Sequence, residues 1–320
     1  MLALYGLRDE RLIALGSDAE LLADAVWIDL LHPSAEEEAR VERRLGIDVP
    51  TREEMAEIEI SSRLYRENET LFMTAVLLMG TQGPQPQACP VSFILTKGTL
   101  VTVRYAEPSV FRTFLQQAQR TDLGLQHADG VFAALLEAII DRTADILERV
   151  GAETDAVSRT VFQPEAQASV SRDYKAILKR IGLNGDLNSK VRESLVSIGR
   201  LVNFLSAECG DLQPGLRERT DTMAADIRSL TDHASYVAGT TVFLLDATLG
   251  LINIEQNAII KIVSVVSVLV MPPMLIASIY GMNFRFMPEL DWRVGYPLAL
   301  AAMAIAVIIP YWVFKRRGWL

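Results

Sequence analysis

At 320 residues, half of them hydrophobic, the chain has room for one soluble domain plus a membrane anchor, and its net charge of −9 disfavours nucleic acid, whose binding needs cationic surface. Cys89 and Cys209 lie far apart, and His32, His127 and His233 are isolated, so neither a disulfide framework nor a nitrogen-and-sulfur zinc site is expected. No glycine-rich phosphate loop is present and nucleophile, base and metal ligands never occur together, which leaves ATP-driven pumping and enzymatic chemistry without support.

Residues 1–128 read as a cytoplasmic α/β domain. The opening run is interrupted by Arg8, Asp9, Glu10, Arg11 and Asp18, so no signal peptide is expected. A short strand at Val26–Leu30 precedes a helix from Ser34 to Leu45, where Ser34 and Glu37 have the spacing of a capping box. Thr51 and Glu54 repeat it. Strands follow at Leu71–Met79, Val91–Thr96 and Leu100–Arg104, with turns at Gly83-Pro84 and Lys97-Gly98 and a helix over Ser109–Thr121. Charge runs such as Glu36–Glu38 read as solvated helix faces.

Residues 129–261 change to long helices. Val131–Phe162 carries Phe132, Leu135, Leu136, Ile139, Ile140, Ile146, Leu147 and Val150 on one side, Pro164 interrupts, and Ala166–Ala207 forms a second helix. Cys209–Pro214 is a turn. From Leu216 no proline occurs until Pro272, which predicts one helix running from the soluble domain into the membrane, a strut able to carry motion between a cytoplasmic site and a pore.

Residues 262–320 form a transmembrane hairpin. Ile262–Tyr280 and Tyr296–Phe314 contain no formal charge, and 19 residues of helix span roughly 28 Å, close to a bilayer core. Lys315, Arg316 and Arg317 mark the cytoplasmic side, and a short turn between the spans puts both chain termini there. Residues 262–320 carry a net +3 and residues 1–261 a net −12, an acidic bulk that would concentrate cations. Two helices cannot enclose a polar path, so conduction requires several copies around an axis. Asn257, Ser264, Ser267, Met271, Met274 and Ser278 recur on one helical face. Such a stripe suits either a pore lining or close helix packing through small residues. Pro272-Pro273 is compatible with both, since proline frees backbone carbonyls.

The segment Tyr280-Gly281-Met282-Asn283, followed by Phe286–Leu290 (FMPEL), Trp292, Gly295-Tyr296-Pro297 and a basic KRRGWL terminus, resembles the signature of the CorA family of divalent cation channels. Specific resemblance covers Leu244–Leu320; the rest agrees in layout. It implies a homopentameric funnel in the inner (plasma) membrane that takes up magnesium, and also cobalt or nickel, down the electrochemical gradient, with cytosolic magnesium closing it. Magnesium is then both the transported and the regulatory ion, and no organic cofactor is implied.

Magnesium gives up its water reluctantly and prefers hard oxygen ligands, so a filter can hydrogen-bond to the hydrated ion through neutral oxygens. The resemblance assigns that filter to Gly281, Met282 and Asn283, narrow apolar rings to Val263 and Met271, a polar cytoplasmic entrance to Asn257, and magnesium sensing to Asp246. Ser264, Ser267, Met274 and Ser278 complete the expected lining. Met274 stands where relatives often have threonine, and Arg285 where they more often have an acid. Glu289 and Asp291 would draw cations to the mouth, with Arg285 and Arg293 opposing them. Lys261 is expected to face lipid phosphates. The alternatives are a proton-coupled zinc transporter of the same superfamily and a membrane-anchored scaffold.

Overall fold

A computed structural model describes every residue except 17–23, 58, 84, 122–124, 164–172, 209–214, 284–286 and 320. The chain divides into two compact units, Met1–Leu245 and Asp246–Leu320.

The first unit is built on a seven-stranded sheet of β1 (Leu2–Arg8), β2 (Arg11–Gly16), β3 (Trp27–Leu31), β4 (Leu64–Glu67), β5 (Thr70–Met79), β6 (Gln87–Leu95) and β7 (Leu100–Arg104). Their spatial order is β2-β1-β3-β7-β6-β5-β4, and only β3 and β7 run parallel. Sequence reading finds neither β1 and β2 nor β4. The β1–β2 turn places Asp9 and Glu10 at φ 50° and 59°, and the turn before β5 places Asn68 at 53°. These tight turns are made without the glycine that normally announces a hairpin. Pro90 fits β6 because β7 pairs only with Val91–Leu95, so its missing N–H leaves no ladder bond unmade.

Strand alternation divides the core. Ile28, Leu30, Val101 and Val103 point to the face covered by α1 (Ala35–Leu45) and α2 (Arg52–Ala56), where Val41 and Met55 are buried. Both helices begin with the capping boxes expected at Ser34–Glu37 and Thr51–Glu54. The backbone N–H of Ser34 bonds the Glu37 carboxylate, and this with the N-terminal ammonium lowers the pKa of Glu37. A four-residue helix, α3 (Ile60–Arg63), leads into β4.

The opposite face carries Trp27, Phe93 and Leu100 and is covered by α4 (Ser109–Arg120), α5 (Ala128–Phe162) and α6 (Tyr174–Glu208). All eight apolar residues expected on one side of the first long helix are buried in α5. The described part of the second long helix begins at Tyr174, where Asp173 accepts from the Ala176 N–H; the expected start at Ala166 lies outside the described residues. On this apolar face sits a closed polar chain. Arg104 donates to both Asp29 oxygens (2.9 and 2.7 Å), Thr102 donates to Asp29 Oδ1 (2.7 Å), and Trp27 Nε1 donates to Thr102 (3.0 Å). Burial, reinforced by the Asp29 charge and partly offset by Arg104, raises the Tyr5 phenol beside it.

Cys89 is buried on this face and donates to the Leu77 carbonyl, and burial pushes its thiol up to about 11. A thiol with that pKa is thiolate in roughly one part in a thousand at pH 8, against about a quarter for a free cysteine. Peptide-resolved alkylation at pH 8 is therefore expected to modify Cys89 roughly a hundredfold more slowly in native than in denatured protein. Equal rates would contradict its burial.

The helix α7 (Leu216–Tyr280) is common to both units and uninterrupted, as the proline-free run from Leu216 predicts. In the first unit its Leu216, Met223, Ile227, Ala234 and Val237 enter the core, and Asn188 of α6 donates to the Ala234 carbonyl (2.9 Å). The second unit continues α7 to Tyr280, then a 3-10 turn at Pro288–Asp291, then α8 (Gly295–Arg316). Both α7 and α8 contain a stretch long and apolar enough to cross a membrane, and almost none of that stretch is buried within the chain.

Candidate functional site

The residues singled out from the sequence fall on α7 and the loop after it. Between 262 and 280, Val265 is buried and the half-covered residues include Leu269, Pro272 and Ile276, and Lys261 extends that series by one turn. On α8 the half-covered residues include Ala299, Met303, Ala306, Pro310 and Phe314. Both series step by three or four, the pattern of two helices closing along a single seam. Their antiparallel pairing is tied at one end, where Lys261 Nζ donates to the Gly318 carbonyl (3.0 Å).

The expected stripe lies elsewhere. At about 100° per residue it is centred roughly 130° around α7 from the seam, with Val263 roughly 160° away. Asn257, Val263, Ser264, Met271, Met274 and Ser278 are exposed, and Ser267 is half-covered. Ser267 donates to the Val263 carbonyl (2.8 Å), so its oxygen keeps only acceptor capacity for anything outside the helix. Pro272 and Pro273 lack the N–H groups that would bond Val268 and Leu269, which leaves those two carbonyls without their regular helical partners. The stripe is thus apolar at its methionines and oxygen-bearing between them, with no charge from Ile262 to Tyr280.

Gly281 ends the helix. Its N–H bonds Ala277 O (2.9 Å), and Met282 N–H bonds Ile279 O (3.2 Å) in a tighter turn. A Cβ at 281 would come within 3.0 Å of the Ala277 carbonyl, which is backbone and cannot swing aside. Met282 and Asn283 follow with exposed side chains, and among the described residues no hydrogen bond engages the Asn283 amide. Glu289 and Asp291 belong to the 3-10 turn, and Asp291 and Arg293 are exposed. Arg285 and Phe286 lie outside the described residues, and so does the expected opposition of Arg285 to cations.

Asp246 is exposed and precedes Asn257 by 11 residues, about three turns, so it shares the stripe's face. Among the described residues no three His, Cys, Asp or Glu side chains gather as a metal site. Asn253, exposed four residues before Asn257, lies on the same face and was missed in the sequence, although its i, i+4 spacing to Asn257 is a usable signal. Lys261, expected to reach lipid phosphates, spends one of its three N–H donors on the Gly318 carbonyl of the C-terminal tail, a contact no local pattern announces. In the first unit, Asp141 has its pKa raised, by burial first and then by Glu137, Asp145 and Asp226, which marks a strongly acidic stretch between α5 and α7.

Comparison with known proteins agrees with this layout. The family model described as CorA-like Mg2+ transporter protein matches residues 23–316. The magnesium transport protein CorA of Yersinia pestis is 36% identical over 321 residues, covering all of both chains. That of Escherichia coli K12 is 35% identical over the same full length. The complete CorA magnesium transporter structure from Methanocaldococcus jannaschii superposes with a TM-score of 0.77 at 19% identity, covering 100% of this chain and 99% of that one.

Proposed function

The chain belongs to the CorA-like Mg2+ transporter family, and from that premise we propose that it conducts hydrated magnesium through an axial pore lined by α7 from each copy of a homopentamer. The observation that carries this reading is the open, uncharged, oxygen-bearing face of α7, which ends at Gly281-Met282-Asn283 and stands well away from the α8 seam. A face of that kind is stable in a bilayer when other copies cover it or water fills the space beside it.

The roles follow from chemistry. Asn283 carbonyls accept from the ion's bound waters, and Gly281 allows the turn that presents them. Rings of Val263 and Met271 close the path by excluding water, and Asn257 and Ser267 carry hydrated ions between them. Met274 in place of a hydroxyl makes the middle of the path less polar, so cobalt and nickel, carried as hydrated divalent ions, meet the same outer collar. Glu289 and Asp291 gather cations at the mouth. The membrane potential supplies the drive, about 4.6 kcal/mol per 100 mV for two charges, with no nucleotide. Both termini and residues 1–261 then lie in the cytoplasm, with 1–128 and 129–261 as the sensing body and strut, and the hairpin sits in the plasma membrane.

Asp246 acts in closure. Magnesium bridging it to a carboxylate of a neighbouring copy holds the strut, and loss of the ion leaves like charges repelling. Patch recordings of Asp246→Ala should need severalfold more cytosolic magnesium to close, and an unshifted magnesium dependence would remove Asp246 from the sensor. The function itself is tested by magnesium uptake into proteoliposomes under an imposed potential. Uptake that persists with the pH gradient collapsed supports the channel, and uptake abolished by that collapse points to the proton-coupled zinc reading.

A further inference from the structure

Where α7 enters and α8 leaves, four cations collect on one end of the hairpin. Lys261 Nζ donates to Gly318 O at 3.0 Å and lies 5.6 Å from the centre of the Trp319 ring, which itself stacks on Phe314. The Arg316 guanidinium sits 4.0 Å over Trp312, and Lys315 lies 6.0 Å from Tyr311. Arg317 follows, exposed. Among the described residues no carboxylate pairs with any of these four side chains. Each of Lys261, Lys315 and Arg316 is held against an aromatic ring, which orients the charge without neutralising it. The preceding acid on α7 is Glu255, six residues or about 9 Å back along the helix.

Four cations, three of them oriented by rings and none paired with a carboxylate among the described residues, flanked by Tyr311, Trp312 and Trp319 at the end of an uncharged span, match one kind of occupant. We propose that this end of the hairpin binds the phosphate of an anionic bilayer phospholipid, with Lys261, Arg316 and Arg317 as donors and the indoles of Trp312 and Trp319 against the glycerol and upper acyl chain. This rests on the hairpin spanning a membrane. Arginine presents a planar fork that grips two phosphate oxygens, and Lys261 retains two N–H donors beyond the one bonded to Gly318. A zwitterionic headgroup brings its own cation into the cluster and is repelled, whereas a net-negative one is not. The rings sit at headgroup depth and favour a lipid over free phosphate. Because Lys261 is on α7 and the other donors are on α8 and its tail, the bound headgroup would brace the two helices together beside the entrance ring of Asn257.

Tryptophan quenching tests this in the full-length protein reconstituted into phosphatidylcholine vesicles. Bromine-labelled phosphatidylglycerol and bromine-labelled phosphatidylcholine are compared at equal mole fraction. The anionic lipid should quench more strongly. The excess should fall about fivefold in Lys261→Gln, which leaves the three flanking charges that orient the hairpin, and vanish in the Lys261→Gln/Arg316→Gln/Arg317→Gln variant. Arg316→Lys should keep most of it. Equal quenching by the two lipids in the unaltered protein, or an excess untouched by the glutamine substitutions, would overturn the proposal. Quenching by neither lipid would remove the membrane-spanning reading itself, and the proposal with it.

Discussion

Asn283→Ala is expected to reduce magnesium uptake at least tenfold while leaving the protein folded and assembled. The side chain is exposed, and among the described residues it makes no hydrogen bond, so its truncation removes nothing the chain's own stability depends on. A hydrogen bond involving a charged species is worth about 1.5–3 kcal/mol, and a symmetric ring loses one such acceptor from every copy at once. Since about 1.4 kcal/mol is already tenfold, the deficit should be large. Gly281→Ala should act by a different route. The added methyl meets the Ala277 carbonyl at 3.0 Å, so the turn opens and the intact Asn283 collar is displaced. Ion uptake into proteoliposomes, read beside elution volume in detergent, separates the two: both variants should run as the unaltered oligomer and transport poorly. Normal uptake by Asn283→Ala would sink the filter assignment and favour the anchored scaffold.

Arg104→Met is expected to cost about 3–5 kcal/mol, because it strands the Asp29 carboxylate in an apolar face. That carboxylate is 8% exposed and loses two of its three donors, keeping only Thr102. The double variant Asp29→Leu/Arg104→Met should recover most of the loss, since well-packed apolar groups can replace a buried pair. Trp27 belongs to the same hydrogen-bonded chain and is stacked on Tyr5 at 4.8 Å, so its fluorescence reports the transition directly. A fall in midpoint of roughly 10 °C for the single variant is the expected scale. If the double variant is no more stable than the single one, the cost does not come from the unpaired charge.

Read along the chain, some features needed no folding partner. Residues 262–280 and 296–314 are uncharged over a bilayer's thickness, and the proline-free run from Leu216 continues into the first of them, so α7, α8 and their role in a membrane were legible from local composition. The capping boxes at Ser34 and Thr51 were legible for the same reason, since both partners lie within one turn. The family was legible from the segment Tyr280–Asn283 and the loop that follows it.

Other features depended on partners distant in sequence. The hairpin of β1 and β2 turns on Asp9 and Glu10 in left-handed conformations, which only pairing across Arg8 and Arg11 stabilises. Asp29 reads locally as a polar interruption in an apolar strand, and it becomes a buried charge only when β7, more than 70 residues later, brings Thr102 and Arg104 alongside. Lys261 reads as a lone cation at a membrane edge until α8 returns Gly318 and Trp319 to it. By itself the sequence determined the spans, the long helix and the signature at its end, because apolar length and helical period are properties of a single segment. The tertiary structure alone decided which face of α7 stays open and which charges are paired, because the desolvation of a side chain is set by what the rest of the chain puts beside it.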